Sequence, residues 1–180
     1  NLEHEQHLSY TISGDLGYTN DLSAFHLMSY NHNTGKVQVF AEKVFPPTTP
    51  STEIANGLQE WRKYTGRAVV DIQGNTRTDL AQLGLDTATP EKDKFESTVT
   101  FIRNEFFQDK VVIDPACTLL IQTCRSLTFN KQRTDFLRTI TLGHGDCLMS
   151  LVYGLRYVDR HTDKRPKPSK RETFSLSRNK

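Results

Sequence analysis

The sequence predicts an α/β layered fold with an antiparallel start and a parallel continuation. Three observations carry that reading. The first 45 residues read as three strands between turn signals, the first of them alternating apolar and polar positions. Two short, mainly apolar runs, 68–72 and 111–113, have the pattern of buried parallel strands. The segments around them place apolar residues at helical spacing.

Taken in order, Leu8, Tyr10 and Ile12 alternate with polar residues and predict a strand ending near Asp15, with Gly14 and Gly17 punctuating the turn. Residues 23–30 predict a second strand, 31–35 an Asn- and Gly-rich turn, and 36–45 a third strand. Pro46, Pro47 and Pro50 end this meander. Ile54, Leu58, Trp61 and Thr65 then predict a helix over 51–65, closed by Gly66. After the strand at 68–72 comes a short helix at 76–83. Thr89-Pro90-Glu91 reads as a helix start, and Phe95, Val99, Ile102 and Phe106 form the stripe of a helix over 91–109. Asp114-Pro115 reads as the opening of another helix, with Cys117, Ile121 and Cys124 on one face. A short strand is placed at 126–129. The last helix spans about 145–160, with Leu148, Leu151, Val152 and Leu155 facing the core.

Length and composition bound the function. A chain of 180 residues is one domain, or one domain with a tail. No run approaches the roughly 18 apolar residues of a membrane span. Residues 1–13 lack the pattern of a signal peptide. The chain opens on Asn1 and reads as a piece of a longer protein. Three cysteines, Cys117, Cys124 and Cys147, without a C-x-x-C pair, read as reduced thiols of a cytosol-like compartment. The net charge is +2, but residues 159–180 carry eight basic and three acidic residues, so the body is mildly acidic. The domain is therefore expected over 1–158, with a basic, mobile tail over 159–180 that serves either as a phosphate-binding arm or as a solubilising terminus.

Three acids stand where a sheet-based site would want them. Asp15 ends the first strand, Asp71 ends the run that begins at Ala68, and Asp146 opens the last helix. Strand ends line the ligand crevice of open α/β sheets. Converging carboxylates repel unless a cation lies between them, and hard oxygen donors suit Mg²⁺ or Mn²⁺. Two such ions can support phosphodiester cleavage. Plainer roles are available as well. Asp15 suits a turn, and Asp146 suits a helix N-terminus; a helical wheel sets it opposite Leu148 and Leu155. Asp114 is set aside, because Pro115 makes it a helix cap.

Three stretches resemble the C-terminal nuclease domain of the large terminase subunit of tailed bacteriophages. They are 14–18, with Asp21 and Ala24 following; 69–71; and 142–156, Leu-Gly-His-Gly-Asp-Cys-Leu-Met-Ser-Leu-Val-Tyr-Gly-Leu-Arg. The helix predicted over 91–109 and the run 111–117 also fit, so the likeness covers about 8–158. It implies a ribonuclease-H-like fold, with a mixed central sheet of three antiparallel strands and then parallel ones, flanked by helices. It implies that Asp15, Asp71 and Asp146 bind two Mg²⁺ or Mn²⁺ ions, with Asp21 an auxiliary acid and His144 a neighbour of the metals. A histidine at a helix entry that bonds backbone is the plainer role for His144.

The implied activity is metal-dependent endonucleolytic cutting of concatemeric double-stranded DNA with little sequence preference, during virus assembly in the host cytoplasm. The implied partners are a packaging ATPase, a portal protein and a small terminase subunit. No G-x-x-x-x-G-K-[ST] loop occurs, so these 180 residues should not hydrolyse ATP. Lys92, Lys94, Arg103 and the tail are the cations available to DNA. Two other readings keep the same acids: a junction resolvase or transposase-type nuclease, and a non-catalytic DNA-binding or motor-docking module.

Overall fold

The computed structural model describes residues 7–17, 20–72, 75–139 and 142–161. Most of the basic tail, 162–180, lies outside the described residues. Strands β1 (Leu8–Asp15), β2 (Ser23–Asn31) and β3 (Val37–Phe45) form the expected antiparallel meander. Helix α1 (Ser51–Leu58) follows, then a 3₁₀ turn (Gln59–Lys63), β4 (Arg67–Asp71), α2 (Asn75–Gln82) and β5 (Asp86–Ala88). Helix α3 (Phe95–Phe107), β6 (Val111–Ile113), α4 (Thr118–Ser126) and α5 (Asp146–His161) complete the chain. The six strands form one sheet in the order β5-β4-β1-β2-β3-β6. β4 runs parallel to β1, β5 to β4, and β6 to β3.

Strand alternation divides the sheet between two cores. Ile12, Phe25, Leu27, Ala68 and Val70 face α1 and α2, meeting Ile54, Leu58, Trp61 and Leu80. Ala24, Met28 and Val39 face the opposite layer, meeting Leu120, Leu151, Val152 and Leu155. Helix α5 lies directly on β1 and β2. At Gly154 an added Cβ would stand 2.3 Å from Met28 Sδ and 2.9 Å from Ser13 Cβ. Gly154→Ala is therefore expected to lower stability by about 1–2 kcal/mol, because overpacking outweighs the gain in helix propensity. A lower midpoint in thermal unfolding checks this.

Several local expectations are corrected. The helix predicted over 91–109 begins at Phe95. Residues 89–94 stay unwound because tertiary bonds hold them. Buried Arg156 donates to the Glu91 carbonyl at 3.2 Å and to Thr98 Oγ1 at 2.9 Å, and it pairs with Asp93 at 3.2 Å. Phe106, expected in the stripe, is exposed, and Ile102 and Thr98 carry the buried face. The helix predicted over 51–65 gives way to the 3₁₀ turn after Leu58, although Trp61 is buried as expected.

Asp114 does not cap α4. Its Oδ1 accepts the Ala116 N–H in a turn, and the helix begins at Thr118. Its opening is held instead by Glu42 of β3, whose two oxygens accept the Leu119 and Leu120 N–H groups at 2.8 and 2.9 Å. Leu120 and Thr123 are the buried residues of α4, while Cys124 is exposed. β6 is an edge strand with Val112 turned outward. The strand placed at 126–129 is a single bridge between Phe129 and Phe136.

Candidate metal and acid site

The first two acids meet because β1 and β4 pair in parallel with Asp15 opposite Asp71. Neighbouring strands lie about 4.8 Å apart, so the two carboxylates leave the sheet side by side. Both share the strand parity of Ser13 and Val69. Ser13 Oγ is 3.4 Å from Ser150 Oγ of α5, so that parity faces α5. Asp146 stands in the first turn of α5. The preceding loop is shaped around it: Gly143 and Gly145 have φ of +60° and +86°, and a Cβ on Gly143 would lie 2.3 Å from Asp146 Oδ2. The His144 N–H donates to that same oxygen at 3.3 Å.

The electrostatics bind these acids into one cluster. Burial, then the charges of Asp146 and Asp71, push the Asp15 carboxyl up to about 8, against the pull of nearby Lys92. Burial lifts Asp146 to about 6, opposed by the His144 N–H and assisted by Asp21. Burial and the charges of Asp15 and Asp71 also raise the Tyr153 phenol, which holds its proton beside them. Asp146 and Tyr153 are seven residues apart and share a face of α5.

Cations frame the acids. Lys92 Nζ lies 2.6 Å from Asp71 Oδ2, carried there by the unwound 89–94 segment. Arg138 pairs with Asp21 at 2.9 Å. Arg138 also lines a cleft of about 420 Å³ with Asn20, Leu22, Pro47, Thr139 and Gly143, beside the Asp146 loop.

The candidate residues therefore separate. Asp15, Asp71, Asp146 and Asp21 share one electrostatic cluster. His144 contributes its backbone, while its ring Nε2 turns to Asp135 at 3.3 Å. Lys92 meets an acid of the cluster. Sequence reasoning passed over Tyr153, Arg138 and Arg156; the seven-residue step from Asp146 to Tyr153 was the available signal for one of them. Carboxylate oxygens in excess of neighbouring cations fit a hard dication, which would relieve the strain on Asp15. The side chains are nevertheless not drawn tightly together. Among the described residues, one group of three His, Cys, Asp or Glu ligand atoms lies mutually within 4.8 Å, and it is His26, Glu42 and Cys147 instead.

No protein-family model matches the chain, and no curated protein matches it. Solved structures do. The P22 large terminase nuclease domain superposes with a TM-score of 0.68 at 12% identity, over 83% of this chain and 80% of that one. The nuclease domain of the large terminase from bacteriophage SPP1, with bound Mn, gives 0.60 at 17% identity, over 82% and 85%. A large terminase from a thermophilic bacteriophage gives 0.70 at 13% identity over 83% of this chain, which spans 39% of that protein. With its mixed six-stranded sheet flanked by helices, the chain has the ribonuclease-H-like fold of the large terminase nuclease domains.

Proposed function

We propose that this chain is a metal-dependent endonuclease domain of the DNA-packaging terminase type, with Asp15, Asp71 and Asp146 as its metal ligands. The observation that carries the reading is the pairing of Asp15 with Asp71 at adjacent strand ends, within the electrostatic reach of Asp146. The manganese bound in the SPP1 domain of the same fold supports it. Two bound Mg²⁺ or Mn²⁺ ions would activate water and stabilise the leaving oxygen of a DNA phosphodiester.

The residues of the chain divide the remaining work. Asp15 and Asp71 offer oxygens from the rigid sheet, and Asp146 offers its own from a loop with no room for a side chain at 143. Asp21 adds negative charge at the rim. Lys92 and Arg138, released from their acids, attract backbone phosphates, which carry no sequence information; cutting with little sequence preference follows. The substrate would be concatemeric double-stranded DNA in the host cytoplasm. The portal protein and small terminase subunit would be met through the rest of the motor. No helix among the described residues is long and apolar enough to cross a membrane.

The test compares cutting of linear duplex with cutting of a four-way junction, in Mn²⁺. Cutting of the linear duplex at least as fast as of the junction supports the terminase reading. Preference for the junction points to a resolvase, and binding without cutting points to a docking module. A second expectation concerns Lys92, whose ammonium competes with metal for Asp71. Lys92→Met should tighten Mn²⁺ binding about three- to tenfold by calorimetry, while slowing cutting.

A further inference from the structure

The interior between the sheet and α5 holds a second set of donors. His26 on β2, Glu42 on β3 and Cys147 on α5 place a ring nitrogen, a carboxylate oxygen and a thiol sulfur within 4.8 Å of one another. His26 is fully buried. Its Nδ1 hydrogen-bonds Ser150 Oγ at 2.9 Å, and Ser150 in turn lies 3.4 Å from Ser13 Oγ. That bond fixes the ring, with Nε2 on the side of Glu42. Nε2 has no hydrogen-bond partner, and Glu42 Oε2 stands 3.7 Å away. An unsatisfied polar atom in a dry interior is costly, and native structures rarely keep one without a reason.

A histidine held through one nitrogen, with its other nitrogen near a carboxylate and a thiol in the same cluster, is the arrangement by which proteins aim metal ligands. Burial lowers the pKa of His26, opposed by Glu42, so the ring is neutral and keeps a lone pair for Nε2 when Nδ1–H donates to Ser150. Glu42 meanwhile accepts from the Leu119 and Leu120 N–H groups, which leave its oxygens further lone pairs. Mg²⁺ and Mn²⁺ favour all-oxygen surroundings. A nitrogen, oxygen and sulfur set suits Zn²⁺.

We propose that His26, Glu42 and Cys147 form a Zn²⁺ site separate from the aspartate cluster. Binding forms a Zn–S bond, and the Cys147 thiol proton leaves to solvent. The ion ties β2, β3 and α5 together one residue from Asp146, and through Glu42 it reaches the start of α4. Three protein donors leave the fourth tetrahedral position open.

Cobalt(II) serves as the spectroscopic probe. It is titrated under reducing conditions into the chain and into its Asp15→Asn/Asp71→Asn variant. Both are expected to develop a near-ultraviolet thiolate-to-cobalt charge-transfer band that saturates as one Co²⁺ per chain fills the cysteine site, and Zn²⁺ abolishes it by displacement. Cys147→Ser should lose the band, and Cys117→Ser and Cys124→Ser should keep it. Ser150→Ala, which frees the His26 ring, should weaken binding about tenfold. Absence of the band from the wild-type chain, or its survival in Cys147→Ser, overturns the proposal. Neither result bears on the nuclease reading, because carboxylate ligands give no sulfur band.

Discussion

Asp15→Asn should make the metal-free domain more stable, and increasingly so as the pH rises. Asp15 is an acid whose folded pKa, about 8, lies above the ordinary carboxylate value of 3.8. The folded state therefore binds its proton more tightly than the unfolded state does. Stability is fullest below about pH 4, falls as the pH rises through the interval up to about 8, and then levels off. Asparagine removes the ionisable group, and with it the repulsion from Asp146 and Asp71 as well as the cost of burying a charge. Each pK unit corresponds to about 1.4 kcal/mol. Water at the rim and relaxation of the side chains reduce the sum, so a gain of about 2–4 kcal/mol is expected at pH 8.5, or roughly 5–12 °C in Tm. Thermal unfolding of both proteins in EDTA, from pH 5 to 8.5, measures it. A difference that stays flat or reverses would mean that Asp15 is not held in a crowd of acids.

Asp146→Asn and Gly143→Ala should both disable cutting, by different routes. The first removes the charge of a proposed metal ligand and leaves the backbone unchanged. The second adds one methyl, which cannot fit 2.3 Å from Asp146 Oδ2 at a φ of +60°. The loop must move or the carboxylate must turn away. A misplacement of about 1 Å can cost on the order of 100-fold in rate. Asp146→Asn is expected to lose at least 10³-fold and Gly143→Ala about 10²-fold, with far-ultraviolet circular dichroism unchanged in both. Normal cutting by Gly143→Ala would show that the 143–146 loop does not position the site.

The strands of the first 45 residues were legible from the alternation of Leu8, Tyr10 and Ile12 and from the turn signals between the segments. Asp15 and Asp71 were legible as strand ends. Their register opposite each other was not, because parallel pairing joins segments more than fifty residues apart. Asp146 misled the helical wheel for a physical reason. α5 is buried on nearly every side, so its leucine stripe marks only part of the buried surface. The side facing β1 and β2 is small and polar, with Ser150 bonded to His26 and Gly154 against Ser13.

Local signals failed where tertiary contacts were stronger. Thr89-Pro90-Glu91 has the chemistry of a helix start, but Arg156, 65 residues from Glu91, holds that segment open. The same hold delivers Lys92 to Asp71, so the misread segment belongs to the site. β5 was missed because Asp86, Thr87 and Ala88 carry no apolar pattern. The buried cluster of His26, Glu42 and Cys147 was invisible for a related reason: each residue looks ordinary in its own element, and the site exists only where three elements meet.

The most direct test of the central claim is plasmid cutting by this chain with Mn²⁺, with Mg²⁺ and with EDTA, beside the Asp146→Asn variant. Conversion of supercoiled plasmid to nicked and linear forms is expected with a divalent metal, with none in EDTA and none in the variant. Cutting that survives EDTA, or that Asp146→Asn performs at the wild-type rate, would contradict the assignment of the aspartate cluster as a metal-dependent nuclease site.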